Sequence, residues 1–325
     1  MLSLSSCLDM ISHELLIFQS EKRKPAELYQ PIHYILSLGG KRIRPALALM
    51  ACNLFSEDVM SSVKPALAIE LFHNFTLIHD DIMDNAPLRR NRPTVHEKWD
   101  NNVAILSGDA MQIQAFQLMC EAPVSKLKTL LDIFNTTAIE VCEGQQYDMN
   151  FAIRNDVSLE EYIQMIELKT SVLLAASLKI GALCGGAPND EAQKLYEFGR
   201  NLGLAFQIQD DYLDVYGNQD KFGKKVGGDI AENKKTFLLI KALELANGKA
   251  AEALQSAVTN KISNTFEKVQ VVHNIYDELN IPEITCAKIA EFSEKAFEYL
   301  SSVNLDEARK KNLLEVAKGL MGREN

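Results

Sequence analysis

An all-α fold is predicted by three features of the sequence. Apolar residues recur at three- and four-residue steps almost throughout the 325 residues, which is the spacing of one helical face. Alternating apolar and polar runs of strand type are scarce. The breaks are short, and the 16 Gly and 9 Pro do not fall at the strand-like intervals a β protein would need.

The elements follow in order. Asp9, His13 and Glu14 lie within the apolar N-terminal stretch, which marks an amphipathic helix and not a signal peptide. Ile32, Ile35 and Leu36 form a helical pattern that Gly39-Gly40 interrupts. Leu67, Leu71, Phe75 and Ile78 trace a helix running to a break at Asn85 to Thr94. Ile133, Thr137 and Ile139 continue the pattern up to a break at Asn155 to Ser158. Ser158-Leu159-Glu160-Glu161 reads as a capping box opening the next helix. Ile163, Ile166, Thr170, Leu173 and Leu174 follow at helical spacing, with further breaks at Gly185 to Asn189 and Gly217 to Gly228. From Lys241 to Asn325 the chain is amphipathic and rich in Glu, Lys and Ala, as expected of helices packed around a core. No low-complexity or Pro/Gly/Ser-rich linker divides it. Residues 1–325 therefore read as a single domain, although the length alone would permit two.

A net charge of −10 argues against nucleic acid or an anionic membrane as the general partner. No uncharged apolar run of about 18 residues exists, so no stable membrane insertion is expected. The six cysteines show no metal-ligand pairing, and most sit in apolar helical context. They predict buried free thiols and a cytoplasmic location.

Two aspartate clusters of identical spacing carry the chemistry: Asp80-Asp81-Ile82-Met83-Asp84 and Asp210-Asp211-Tyr212-Leu213-Asp214. Each ends an apolar helical run, where clustered carboxylates are costly unless neutralised. The first and third Asp of each lie roughly 40° apart on a helix. Brought together, two such faces would hold divalent metal. Oxygen-only ligands without His or Cys at ligand spacing suit Mg²⁺, a hard ion that keeps waters and binds phosphates. Basic groups appear where phosphate would need them. Lys41, Arg42 and Arg44 adjoin Gly39-Gly40 at an expected helix start; Arg89, Arg90 and Arg92 follow the first cluster; Lys224, Lys234 and Lys235 follow the second. Lys169-Thr170 lies inside a largely apolar helix. Any one of these could be a solvated surface charge, but interleaved acidic and basic clusters are not explained that way.

In these motifs the chain resembles the trans-isoprenyl diphosphate synthases, the polyprenyl synthetase family. The resemblance covers about residues 30 to 240. It rests on Gly40-Lys41-Arg42-Ile43-Arg44-Pro45, the first Asp cluster with Leu88-Arg89-Arg90, and Gly144-Gln145-Gln146-Tyr147-Asp148. Lys169-Thr170, Gln207-Ile208-Gln209 with the second Asp cluster, and Phe222-Gly223-Lys224 through Gly228-Asp229-Ile230 to Lys234-Lys235-Thr236 complete it.

The resemblance implies an isoprenoid-synthase helical bundle with a central apolar cavity, working as a homodimer. It implies condensation of isopentenyl diphosphate with an allylic diphosphate, assisted by several Mg²⁺ ions. Asp80, Asp84 and Asp210 would coordinate metal, with Asp81, Asp211 and Asp214 in support. Arg89, Lys169 and Lys224 would hold the allylic diphosphate, with Lys234 near it. Lys41, Arg44, His73 and Arg90 would form the metal-free isopentenyl diphosphate site. Gln207 and the backbone around Lys169-Thr170 would face the carbocation, and His79 would be structural. Phe75, five positions before Asp80 and next to the smaller Thr76, would set the floor for the growing chain. That pattern is most similar to C20 synthases, with C15 next.

Three other readings compete with this one, and the first, a helical scaffold protein, would need all these charges to be accidental. A class I terpene cyclase has a second metal motif mixing Asn, Ser or Thr with Glu, and lacks the Gly-Lys-Arg site. A non-catalytic subunit of a heteromeric synthase typically loses an Asp cluster. Closure of the site by a basic C-terminal tail rests on Arg323 and Lys318 alone.

Overall fold

The computed structural model describes residues 1–217, 227–259 and 264–322. In chain order its helices begin with α1 (Leu4–Ser20), α2 (Ala26–Ser37), α3 (Ile43–Phe55) and α4 (Met60–Met83). Two short strands, β1 (Leu88–Arg89) and β2 (Arg92–Pro93), precede α5 (Val95–Lys98), α6 (Asn101–Met119) and α7 (Leu127–Ile153). Then come α8 (Leu159–Ile166), a π-helical turn at Glu167–Ser171, α9 (Val172–Cys184) and α10 (Asn189–Tyr216). The remaining helices span Gly228–Glu232, Phe237–Leu245, Gly248–Val258, Thr265–Glu278, Ile281–Ser302 and Glu307–Met321. The all-α prediction holds, and no described helix is long and apolar enough to cross a membrane.

The chain forms two compact units, each assembled from separate segments: Met1–Thr137, Leu173–Tyr196 and Ser301–Leu314 in one, and Ala138–Val172, Glu197–Leu300 and Glu315–Asn325 in the other. In the first unit, α3 is buried on every side from Pro45 to Leu54, as befits a helix without a polar face. Helix α9 approaches it through Gly181, and through Gly185 just past its C-terminal end. A β-carbon at these positions would lie 2.0 Å from the Ala48 carbonyl oxygen and 2.4 Å from that of Cys52. Arg309 donates to the Leu54 carbonyl at 2.7 Å, placing a cation on the C-terminal end of α3.

The second unit contains two apolar clusters. Phe151, Tyr162, Phe237 and Phe292 belong to one; Leu238, Leu254, Val272 and Tyr276 belong to the other. Half of these come from beyond Lys241, so that stretch does pack the core as expected. The capping box is present: the Ser158 hydroxyl accepts from the Glu161 amide at 3.2 Å, and the Glu161 carboxylate accepts from the Ser158 amide at 2.9 Å.

Three expectations need correction. The break at Asn85 to Thr94 contains an antiparallel hairpin pairing Leu88 with Pro93 and Arg89 with Arg92. Its turn residues Arg90 and Asn91 have φ of 52° and 61°, the left-handed pair that matches strand twist. Lys169-Thr170 lies in a π-turn between helices, not within one continuous α-helix. All six cysteines are free, but Cys120, Cys142 and Cys286 are exposed. Cys120 caps the C-terminal end of α6, and an apolar neighbourhood in sequence does not fix which helical face a residue occupies.

Gly181→Ala should destabilise the protein by about 1–3 kcal/mol through overpacking. Gly319→Ala, at a helical position with nothing within 4 Å of a new β-carbon, should be neutral or stabilising by up to about 1 kcal/mol. Urea unfolding of both variants beside the parent checks the pair; equal midpoints would contradict the close α3–α9 contact.

Candidate active site

In the first unit, the Asp80–Asp84 cluster forms the last turn of α4. Its three carboxylates are not equivalent. Asp81 is buried at 1% exposure, and Arg89 of β1 grips it through three hydrogen bonds of 2.7–3.0 Å. The paired strands hold Arg89 in reach of that helix end. Asp80 is half-buried and Asp84 exposed, so the two residues sharing a face are the ones that point outward.

Beside this cluster is a group of cations. Arg44, in the first turn of α3, places Nη1 3.3 Å from Nε2 of His73 on α4. Since a guanidinium only donates, His73 accepts as a neutral ring. Burial, then the charges of Arg44, Arg90 and Arg89, push its pKa well below the usual imidazole range. Arg44 Nε is buried and has no hydrogen-bond partner, a costly condition that an incoming anion would relieve. Arg42, at φ 47°, starts α3 in the left-handed region without a side-chain cap. Arg90 has the same sign at φ 52°. Gly40 leaves room for the Arg90 guanidinium, since a β-carbon there would meet it at 2.7 Å. Left-handed non-glycine residues carry strain and gather at functional sites.

Sequence reasoning missed Glu70. Its carboxylate is buried under these cations and accepts from Asn74 Nδ2 at 3.1 Å. Burial raises its pKa, opposed by the Asn74 hydrogen bond and by Arg44, Arg42 and Arg90. A lone Glu inside the run Ala66 to Phe72 was the available signal.

In the second unit, α10 carries Gln207, Asp210, Asp211 and Asp214. Asp211 is buried and accepts from the Tyr162 hydroxyl at 2.6 Å and from Gln207 Nε2 at 3.2 Å. Burial lifts its pKa to about 7, with Asp229 adding to the rise and Lys234, Tyr162 and Gln207 opposing it. Gln207 Oε1 in turn accepts from the Thr170 hydroxyl at 3.1 Å. Lys169, next in the π-turn, pairs with Asp148 at 2.5 Å. Gly144 of α7 makes this possible: a β-carbon there would lie 2.3 Å from the Lys169 amide nitrogen. Single-turn π-bulges of this kind frequently mark functional sites.

Asp214 has a different task. Its carboxylate accepts from the Asp229 amide at 2.9 Å, and its carbonyl from the Gly227 amide at 2.7 Å, so it caps the start of the Gly228–Glu232 helix. That helix ends at Asn233, φ 57°, with the Asn233 amide donating to Ile230 and the Lys234 amide to Asp229. This is a Schellman motif, and it sets the direction of Lys234. Burial works against the Lys234 charge, but Asp229, Asp211, Asp148 and Asp210 outweigh it and keep the ammonium protonated. Lys224 lies outside the described residues, as does Arg323.

The donor set fits magnesium. Among the described residues no three His, Cys, Asp or Glu side chains converge as a metal cage. Mg²⁺ does not require one, since it keeps waters and takes one or two carboxylates with phosphate oxygens.

Upstream of Asp80, Phe75 is buried between Phe72, at a ring separation of 5.5 Å, and His79, at 4.8 Å. Phe134 packs on Phe72 at 5.4 Å and on Phe116 at 5.1 Å. Thr76 donates to the His73 carbonyl at 2.7 Å. His79 makes a 3.2 Å hydrogen bond with the Ile105 carbonyl and packs on Gly108.

Residues 25–279 match the polyprenyl synthetase family. A geranylgeranyl diphosphate synthase of Methanosarcina mazei is 45% identical over 224 residues, 68% of this chain and 69% of that protein. The crystal structure of a geranylgeranyl pyrophosphate synthase matches 100% of both chains with a TM-score of 0.94 and 43% identity. A geranylgeranyl pyrophosphate synthetase from Pyrococcus horikoshii matches 99% of this chain and 97% of its own, with a TM-score of 0.91 and 34% identity. The chain belongs to the polyprenyl synthetase family and is a trans-prenyltransferase.

His73 folds as a neutral ring with a depressed pKa. Its stabilising state is complete above the unfolded value of about 6.5 and is lost as pH falls below it, by up to about 1.4 kcal/mol per pH unit. His73→Gln should therefore flatten the stability decline between roughly pH 6.5 and 5.5. Urea midpoints across that window test this; parallel slopes would refute it.

Proposed function

We propose that this chain condenses isopentenyl diphosphate with an allylic diphosphate to give an all-trans prenyl diphosphate, chiefly the C20 product, geranylgeranyl diphosphate. The observation that carries the reading is the cation group of Arg44, Arg90 and neutral His73, with the Arg44 Nε buried and unpartnered. A terpene cyclase, which binds one diphosphate, has no use for a second anion site. Both Asp clusters are complete, which argues against a non-catalytic subunit.

Asp80, Asp84 and Asp210 would hold Mg²⁺, which when bound neutralises charge on the leaving diphosphate as a Lewis acid. Asp81 and Asp211 act as anchors, fixing the helix turns from which the outward carboxylates project. Lys169, Lys234, Lys224 and Arg89 hold the allylic diphosphate; Arg89 also retains Asp81. Lys41, Arg44, Arg90 and His73 hold the isopentenyl diphosphate, so the alkene nucleophile stays beside the allylic carbon. Thr170 and Gln207 present polar, weakly nucleophilic oxygens to the cationic intermediate. The departed diphosphate takes the final proton, so no histidine base is required.

The single-domain reading is supported by a family match that runs through both units. Cytoplasmic location and homodimerisation complete the proposal, by likeness to the family.

The test is incubation with Mg²⁺, isopentenyl diphosphate and labelled allylic primers. Elongated diphosphates are expected. Hydrocarbon with free diphosphate would favour a cyclase, and absence of turnover a non-catalytic subunit. Asp80→Asn and Asp210→Asn should each cut kcat by roughly 10²–10³-fold. Arg44→Gln should raise KM for isopentenyl diphosphate roughly 10–100-fold, the value of a charge-assisted hydrogen bond, with the allylic KM little changed.

Phe75→Leu should shift the product profile toward longer chains while losing only about 1 kcal/mol of stability. Chromatography of the dephosphorylated products checks this, and an unchanged chain length would remove Phe75 as the floor.

A further inference from the structure

The buried Lys268 is not used by the reaction as outlined. It lies on the Thr265–Glu278 helix at 3% exposure, and its ammonium donates to the Ala231 carbonyl at 2.9 Å. Burying a Lys is expensive unless it serves something specific. Ala231 lies near the end of the Gly228–Glu232 helix, whose Schellman motif occupies the Asp229 and Ile230 carbonyls. The Ala231 carbonyl belongs to the set a helix C-terminus cannot satisfy internally. Lys268 supplies the missing donor, with its charge at the favourable end of the helix.

The adjacent residue strengthens the contact. A β-carbon on Gly227, at φ 84°, would meet Val269 Cγ1 at 2.7 Å, so the segment lies tightly against the same helix. Asp214 holds the start of Gly228–Glu232 and Lys268 holds its end. The backbone hydrogen bond from Lys234 to Asp229 spans the region between them.

We propose that Lys268 is a positioning residue for the allylic diphosphate site, acting through the Ala231 carbonyl to fix the backbone from which Lys234 and Asp229 project. It does not touch substrate itself. This rests on the reading above that Lys234 holds the allylic diphosphate.

The test compares K268M, K268R and K234Q in the full chain. K268M should raise KM for the allylic diphosphate roughly tenfold, as loss of an outer-shell partner does, with little change in KM for isopentenyl diphosphate. K268R, which keeps a cationic donor, should recover most of the loss. Hydrogen exchange at the Asn233 and Lys234 amides should accelerate in K268M. A K268M protein with a lowered melting temperature but unchanged allylic KM and amide protection would overturn the positioning role. If K234Q alters the allylic KM and K268M does not, only the positioning role fails. If K234Q leaves it unchanged, the assignment of Lys234 fails and takes the proposal with it. Should K268M not fold, K268Q, with a shorter and uncharged donor, is read against the same outcomes.

Discussion

Burying a carboxylate next to others is the constraint on which the rest of the site depends. In each cluster the second aspartate, Asp81 or Asp211, faces inward. An ionised carboxylate there is tolerable only with hydrogen-bond donors in place. The two units meet that demand differently. Asp81 is held by the fork of Arg89, a charged partner on a hairpin. Asp211 is held by the neutral donors Tyr162 and Gln207, and burial lifts its pKa to about 7. An identical motif therefore rests on two different foundations. The spacing that turns the second residue inward also leaves the first facing out.

The same logic explains why the basic residues are not simply surface charges. Arg44 and His73 are close enough that the ring must stay neutral, while Glu70 beneath them offsets part of the accumulated positive charge. Left-handed backbone at Arg42 and Arg90 holds this arrangement under strain, which a bound anion would help to repay. Lys234, by contrast, stands among carboxylates that keep it charged. One group of cations surrounds a neutral histidine and a buried Arg44 Nε without a partner, and the other stands among carboxylates.

Glycine decides several close approaches. Gly144 admits the π-turn that presents Lys169 and Thr170, and Gly181 with Gly185 admits α9 onto α3. Asp214 illustrates a further division of labour. It completes the second motif by spacing, yet its side chain caps the helix that leads to Lys234. A residue that completes a motif by its spacing can therefore serve a structural demand.

The sequence alone determined the helical class, because three- and four-residue periodicity is a local property. It also determined the capping box at Ser158 and Glu161, and the pairing of acidic with basic motifs, since chemically uncomfortable residues in apolar runs are visible without coordinates. Tertiary structure decided what spacing cannot express. Tyr162, Asp148 and Lys268 have hydrogen-bond partners distant in sequence, and no local pattern announces such partners. The hairpin at Leu88 to Pro93 depends on a left-handed turn at Arg90-Asn91 that a propensity argument would not assign to arginine. The split within each aspartate cluster between a buried second carboxylate and a more exposed first one followed only once burial was known. Helical spacing says which residues share a face, and packing alone says which face meets the core.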